Sequence, residues 1–273
     1  MIDLINPNHK DLTNRKKEFF TKKPFPYLIL DDFLEKNYFD LLEEKISKNN
    51  YFEEGKTFNS NLELNKSISL NTDIPEIISN ITKVLNSESW LEVLKSLTNI
   101  KTLKSTKVGN TKLANYHEMG SDGFLGSHVD HSTDPQTGKP HVLNIILYLS
   151  SEWKEIYGGA TLLFNKNGRK VKAKIPYKKN RAVIFLHTPY SFHGVERLKN
   201  NFNIKRKSLY VDYYSESLKP FNHMKLDFPN RWFTHGTTFV LPNKSEYFKV
   251  KNWRYTKSLI RYNINRLKTS LRF

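Results

Sequence analysis

The chain has 273 residues, enough for one large domain with its own core. It contains no cysteine, which excludes disulfides, thiolate zinc sites, iron–sulfur clusters and cysteine nucleophiles, and leaves histidine and carboxylate as the good metal ligands. With 38% hydrophobic and 13% aromatic residues it is not disordered throughout, and its net charge of +17 points either to an anionic partner or, given the heavy use of Lys and Asn, to the codon bias of an AT-rich genome.

Residues 1–24 are polar and basic without periodicity, and they lack the apolar stretch of a signal peptide. Nothing later approaches the roughly 20 apolar residues a membrane span needs, so a soluble cytoplasmic protein is the expectation. A short apolar run at Tyr27–Leu30 stops at Asp31 and Asp32 and reads as a strand leading into a helix cap. Within 33–46, Phe39, Leu41, Leu42 and Ile46 recur at helical spacing, and 74–97 repeats that behaviour with Ile78, Ile81, Val84 and Leu85. From about Lys101 the pattern changes to short β-rich runs at 142–149, 160–164, 182–185 and 208–214, separated by Gly, Pro and Asn turns. Helices followed by many short strands predict an α+β chain: a double-stranded β-helix (jelly-roll, cupin-like) core with N-terminal helices packed outside.

Residues 232–242, WFTHGTTFVLP, carry no assignable motif and are expected to form a lid or substrate wall. The 33 residues from Leu241 hold nine basic groups against one acidic, +8 of the +17. There, from Trp253, Ile260, Ile264, Leu267 and Leu271 form an apolar stripe beside a basic one of Arg254, Lys257, Arg261, Lys268 and Arg272. The preferred expectation is a terminal helix that docks its apolar side on the domain; the alternative is peripheral contact with an anionic membrane or partner.

One constellation carries chemistry. In SHVDHS, His128 and Asp130 are two residues apart, so an extended strand presents both on one face. His193, in SFHGV after the apolar run at 182–186, is the candidate third ligand on a returning strand. Two His and one carboxylate on one face of an octahedral ion leave adjacent positions open, and the donor types suit Fe(II). His117, His131, His141 and His187 read as hydrogen-bonded structural histidines. In KRKSLYVDYY, alternation places Arg206, Ser208 and Tyr210 on one face, and an inward guanidinium calls for a carboxylate partner. The same alternation in VLNIILYLS groups Asn144, Ile146 and Tyr148.

These segments, GFLGSHVDHS, LNIILYLSSEWKEIYGGATLLF, NRAVIFLHTPYSFHGV and RKSLYVDYY, together resemble the prolyl-hydroxylase-like family of 2-oxoglutarate and Fe(II)-dependent oxygenases. With LILDDFL and WLEVLKSLTNI upstream, the likeness spans 25–217. It implies a dioxygenase domain over 25–217, made of a helical lead-in (25–100) and a jelly-roll core (101–217), between a polar segment (1–24) and a C-terminal extension (218–273). It also implies Fe(II) on His128, Asp130 and His193, and 2-oxoglutarate with its far carboxylate on Arg206, helped by Ser208 and Tyr148. Asn144 and Tyr116 are expected to line that pocket, dioxygen is the oxidant and ascorbate an optional reductant. The carboxylate ligand Asp130 favours hydroxylation over halogenation. The expected substrate is a prolyl or other peptide side chain, a small molecule or a sugar. Nucleic acid is not the expected partner, because the basic residues form no interleaved binding motif. A nucleic-acid-directed oxygenase or demethylase, with Trp232 and Trp253 as stacking groups, and a catalytically silent binding protein are the competing readings.

Overall fold

The computed structural model describes residues 3–47, 56–58, 62–68, 75–105, 116–199, 202–217 and 253–271, with shorter stretches between 221 and 239. Helix α1 (Lys16–Thr21) precedes strand β1 (Tyr27–Leu30) and α2 (Lys36–Ser47). Strands β2 (Lys56–Phe58) and β3 (Glu63–Ile68) pair antiparallel and lead to α3 (Glu76–Leu85), α4 (Glu88–Thr98) and β4 (Leu103–Ser105). Strand β5 (Tyr116–Val129) is followed by β6 (His141–Tyr148), β7 (Thr161–Phe164), β8 (Val171–Ile175) and β9 (Ala182–Leu186). Then come β10 (His193–Val195), β11 (Arg206–Ser215), β12 (Thr238–Phe239) and helix α5 (Trp253–Leu271).

The sheet runs β1-β9-β6-β11-β5-β10-β7-β8, with β3 and β12 added on β5 and β4 on β11. This curled antiparallel sheet with helices on its outside is the expected α+β double-stranded β-helix. Strands β6, β9 and β11 are buried on both faces, which explains their near-continuous apolar runs, whereas β8 is largely exposed. Ala182, Ile184 and Leu186 of β9 join Leu143, Ile145 and Leu147 of β6 and Leu209, Val211 and Tyr213 of β11 in the main core, where they meet α2, α3 and α4. The alternate residues turn inward. Val183, Phe185 and Tyr148 line the barrel with Tyr27, Leu163, Ile175 and Tyr177. Period-two alternation thus decides which side chains reach the site.

The helical stretch at 74–97 resolves into α3 and α4, because the Ser87 hydroxyl accepts the Trp90 backbone N–H at 3.3 Å and caps a new helix. The fully buried Trp90 donates its indole N–H to the Tyr213 hydroxyl at 3.0 Å and ties α4 to β11. Residues near the N-terminus are polar by composition, yet Ile5, Leu12 and Phe19 are fully buried in the main core, so this stretch is packed into the domain.

Helix α5 reverses the docking expected from its pattern. Tyr262 is the side that seats: it is buried, and its hydroxyl donates to the Pro189 carbonyl at 2.7 Å. The apolar stripe faces away, with Trp253 73% and Leu271 80% exposed, and Ile260, Ile264 and Leu267 exposed as well. The aromatic pocket of Tyr190, Phe192 and Phe233 accepts one tyrosine ring, which outweighs the aliphatic stripe as a contact.

Candidate metal centre and anion pocket

Strand β5 carries His128 near its end, and β10 lies beside it with His193 directly opposite. The approach is close because position 194 is glycine: a Cβ there would stand 2.6 Å from the Leu125 carbonyl oxygen. Asp130 follows the end of β5 and faces both rings. Its Oδ1 is 3.3 Å from His128 Nε2 and its Oδ2 is 3.3 Å from His193 Nε2.

The opposite ring nitrogens are already committed. His128 Nδ1 lies 2.9 Å from the Gly126 carbonyl and His193 Nδ1 lies 3.0 Å from the Ser191 carbonyl. A carbonyl only accepts, so each Nδ1 carries the proton and each Nε2 offers a lone pair. Two nitrogen lone pairs and a carboxylate then converge on one point, which a divalent cation resolves; the set fits iron(II) in donor number, donor type and fixed tautomer. Burial pushes Asp130 up, yet the two histidines hold its carboxyl well below the usual range. Burial also lowers His128; at His193 burial pulls the ring down, but the Asp130 charge and the hydrogen bonds to Asp130 and Ser191 together raise it.

The second half of the site is built around Arg206 inside the barrel. Arg206, on the inner face of β11, is 4% exposed. Its Nε donates to the Gly159 carbonyl at 2.8 Å, Nη1 to Ser208 Oγ at 3.2 Å and Nη2 to Thr161 Oγ1 at 3.5 Å. The guanidinium sits 5.1 Å from each of the Tyr148 and Tyr177 ring centres, and those rings stack on one another at 4.4 Å. Among the described residues no carboxylate pairs with it. A buried cation without an acid is costly, so this cradle calls for an anionic ligand.

The structure therefore brings His128, Asp130 and His193 together, and Arg206, Ser208 and Tyr148 together. Asn144 is placed differently from the expectation: its amide donates to Asp130 Oδ2 at 2.9 Å, so it supports the metal-binding carboxylate. Tyr116 packs in the main core and its hydroxyl donates to Glu118 at 3.2 Å. Thr161 and Tyr177 were not singled out by sequence. The alternation of TLLF, with Leu163 inward, already pointed Thr161 inward; Tyr177 lies beyond β8, outside any periodic run. Strand β12 pairs with the end of β5, with Phe239 opposite His128; of the segment 232–242 expected to form a lid or wall, residues 237 and 240–242 lie outside the described residues.

No curated protein matches this chain. Residues 111–213, which contain all three triad positions and Arg206, match the family described as the 2OG-Fe(II) oxygenase superfamily. Among solved structures it is similar to a prolyl-4-hydroxylase from Pseudomonas putida, at 15% identity and TM-score 0.52, covering 76% of this chain and 100% of that one. It is also similar to a prolyl 4-hydroxylase from Phytophthora capsici, at 18% identity and TM-score 0.52, covering 93% and 74%. A third is a prolyl hydroxylase in complex with a hypoxia inducible factor peptide from Trichoplax adhaerens, at 14% identity and TM-score 0.50, covering 77% and 90%. At these identities the likeness is one of fold.

Proposed function

On the premise that this chain carries a 2OG-Fe(II) oxygenase domain and is an Fe(II)- and 2-oxoglutarate-dependent enzyme, we propose that it hydroxylates an unactivated C–H bond of a prolyl or other peptide side chain, a small molecule or a sugar. In this reading His128, Asp130 and His193 hold the iron, and Arg206 with Ser208, Thr161 and Tyr148 grips the far carboxylate of 2-oxoglutarate. Iron, dioxygen and the keto acid supply the oxidising chemistry, with succinate and carbon dioxide as coproducts; the protein's part is to bind, orient and keep water out. The carrying observation is Arg206: a buried guanidinium without an acid among the described residues, on the inner face of the same sheet that presents the triad. Asn144, donating to Asp130, keeps that carboxylate turned toward the two rings.

The test needs no substrate. Fe(II) and 2-oxoglutarate are added anaerobically to the purified protein, and the weak visible charge-transfer band of an iron-chelated keto acid is recorded. A band that is lost in Asp130→Ala supports the reading; folded, metal-loaded protein without a band refutes it. Succinate release is then screened with prolyl peptides first and sugars second, because the fold likeness is to prolyl hydroxylases.

A surface role accompanies this reading. The exposed stripe Trp253, Ile260, Ile264, Leu267 and Leu271 has Lys257, Arg261 and Lys268 along one side, and α5 contains no acidic residue. That favours an anionic lipid surface over a second copy, whose own basic helix would be repelled. Co-sedimentation with phosphatidylserine-containing vesicles, absent with phosphatidylcholine alone and abolished by Leu267→Glu, is the expected result. Equal recovery with and without vesicles refutes it.

A further inference from the structure

A second group of ligand-type side chains lies beside the iron triad. His131 follows Asp130, His141 opens β6 and Asp212 sits on β11; their candidate ligand atoms fall within 4.8 Å of one another, as they do in the triad. His141 and Asp212 are buried, while the His131 side chain is 25% exposed and gives the group a path to solvent. The β6–β11 register creates the meeting, pairing Asp212 with Asn144 and Tyr214 with His141.

The hydrogen bonds of His141 repeat those of the iron-site histidines, whereas His131 Nε2 lies 2.9 Å from the Tyr214 hydroxyl, a contact that an ion has to displace. His141 Nδ1 lies 2.9 Å from the His131 carbonyl, so it carries the proton and Nε2 offers a lone pair. That lone pair faces Asp212 Oδ1 at 3.0 Å, and His131 Nε2 stands 3.5 Å from Oδ2. The far side of the carboxylate is braced by the Tyr210 hydroxyl, which donates to Oδ2 at 2.8 Å, and the Tyr214 hydroxyl lies between Oδ2 at 3.4 Å and His131 Nε2 at 2.9 Å, where its single proton serves one of the two. Bracing of a ligating carboxylate and a carbonyl anchor on a ligating imidazole are the outer contacts metal ligands need. Beyond His141, the ring of His187 stacks at 4.0 Å and 10°, with its Nδ1 on the His141 carbonyl at 3.1 Å. His187 Nε2 and His235 Nε2 are buried with no hydrogen-bond partner among the described residues, so further neutral imidazole nitrogen lies near the group. Burial holds both rings low, His235 at about 4.

We propose that His131, His141 and Asp212 form a second divalent-metal site, separate from the iron triad, that takes a borderline first-row ion of the zinc class. Two imidazoles and one carboxylate are a sound donor set for such an ion, and the remaining positions go to water or a substrate atom entering past His131. Because His131 is bonded to Asp130, an ion here fastens the turn that carries the iron-binding carboxylate onto β6 and β11. The competing account is a buried imidazolium–carboxylate pair between His141 and Asp212 that binds no metal.

Equilibrium dialysis of the metal-free protein against Zn(II), read by elemental analysis, separates the two. The second site predicts two ions per chain, one in Asp130→Asn, one in Asp212→Asn and none in the double variant. Since Asp212 is buried, His131→Gln provides a partly exposed substitution that spares the core; it too should retain one ion. One ion in the unaltered chain, lost in Asp130→Asn and kept in both Asp212→Asn and His131→Gln, overturns the second site and leaves the oxygenase reading standing. Two ions with no keto-acid band overturns the oxygenase reading and supports the second site.

Discussion

Arg206 offers the sharpest test of the anion pocket. Its guanidinium is buried and spends Nε on Gly159, Nη1 on Ser208 and Nη2 on Thr161, leaving donor capacity for a carboxylate that the described residues do not supply. Removing one partner of a buried charge pair costs about 3–5 kcal/mol. At about 1.4 kcal/mol per tenfold, Arg206→Ala should weaken 2-oxoglutarate by roughly 10²–10⁴-fold. Arg206→Lys keeps the charge but loses the planar fork and the Nε bond, worth about 1.5–3 kcal/mol or roughly 10–100-fold. The assay is anaerobic titration of the charge-transfer band of the Fe(II)-loaded protein. Pyruvate, a keto acid without the distal carboxylate, provides the internal control, since it should bind the unaltered protein and Arg206→Ala with equal weakness. An unchanged 2-oxoglutarate affinity in folded Arg206→Ala refutes the anchor. A parallel loss for pyruvate would place the damage at the metal instead.

Other expectations come from the same geometry. Asn144→Ala removes the amide that holds Asp130, and outer-contact losses of this kind weaken a metal by about 10–100-fold; iron affinity equal to the unaltered chain would show that the amide does not orient the ligand. Trp90→Ala empties a fully buried site that also bonds Tyr213, which should cost about 3–5 kcal/mol and lower the thermal midpoint by on the order of 10 °C; a midpoint within a degree or two of the original contradicts it. Asp31 is held below the usual carboxylate range chiefly by Arg181, whose guanidinium also joins β1 to the turn before β9. A lowered folded pKa stabilises above the unfolded value and is lost as pH falls through the folded one. Asp31→Asn should therefore cost about 1 kcal/mol or less at neutral pH, given its exposure, and nothing once the pH drops below the Asp31 pKa; a penalty that persists in acid would assign the effect to packing.

Much of the site was legible because strands β6, β9 and β11 are buried on both faces, and a period of two then divides their residues into a helix-facing and a barrel-facing set. KRKSLYVDYY and VLNIILYLS yield Arg206, Ser208, Asn144 and Tyr148 as inward groups on that ground alone, and the structure has all four inside the barrel. The alternation does not say how far along the barrel each residue sits, which is why Asn144 was expected beside Arg206 and lies on Asp130. Helix α5 exposes a different limit. Its apolar stripe and its tyrosine lie on opposite sides, and periodicity identifies a stripe without identifying the surface that receives it; here the receiving pocket is aromatic and admits Tyr262.

The second histidine group was hidden for a third reason, even though one member was within reach. Extending the inward series of β11 from Arg206 through Ser208 and Tyr210 arrives at Asp212. His131 and His141, ten residues apart around a loop, acquire meaning only when the β6–β11 register carries His141 alongside that carboxylate. A lone histidine near a site is ordinarily a hydrogen-bonded one, and His141 does bond a carbonyl through Nδ1. The physical distinction lies in its other nitrogen: a buried lone pair 3.0 Å from a carboxylate oxygen is repulsive unless a proton or a cation intervenes, so one of the two must be present in the folded protein.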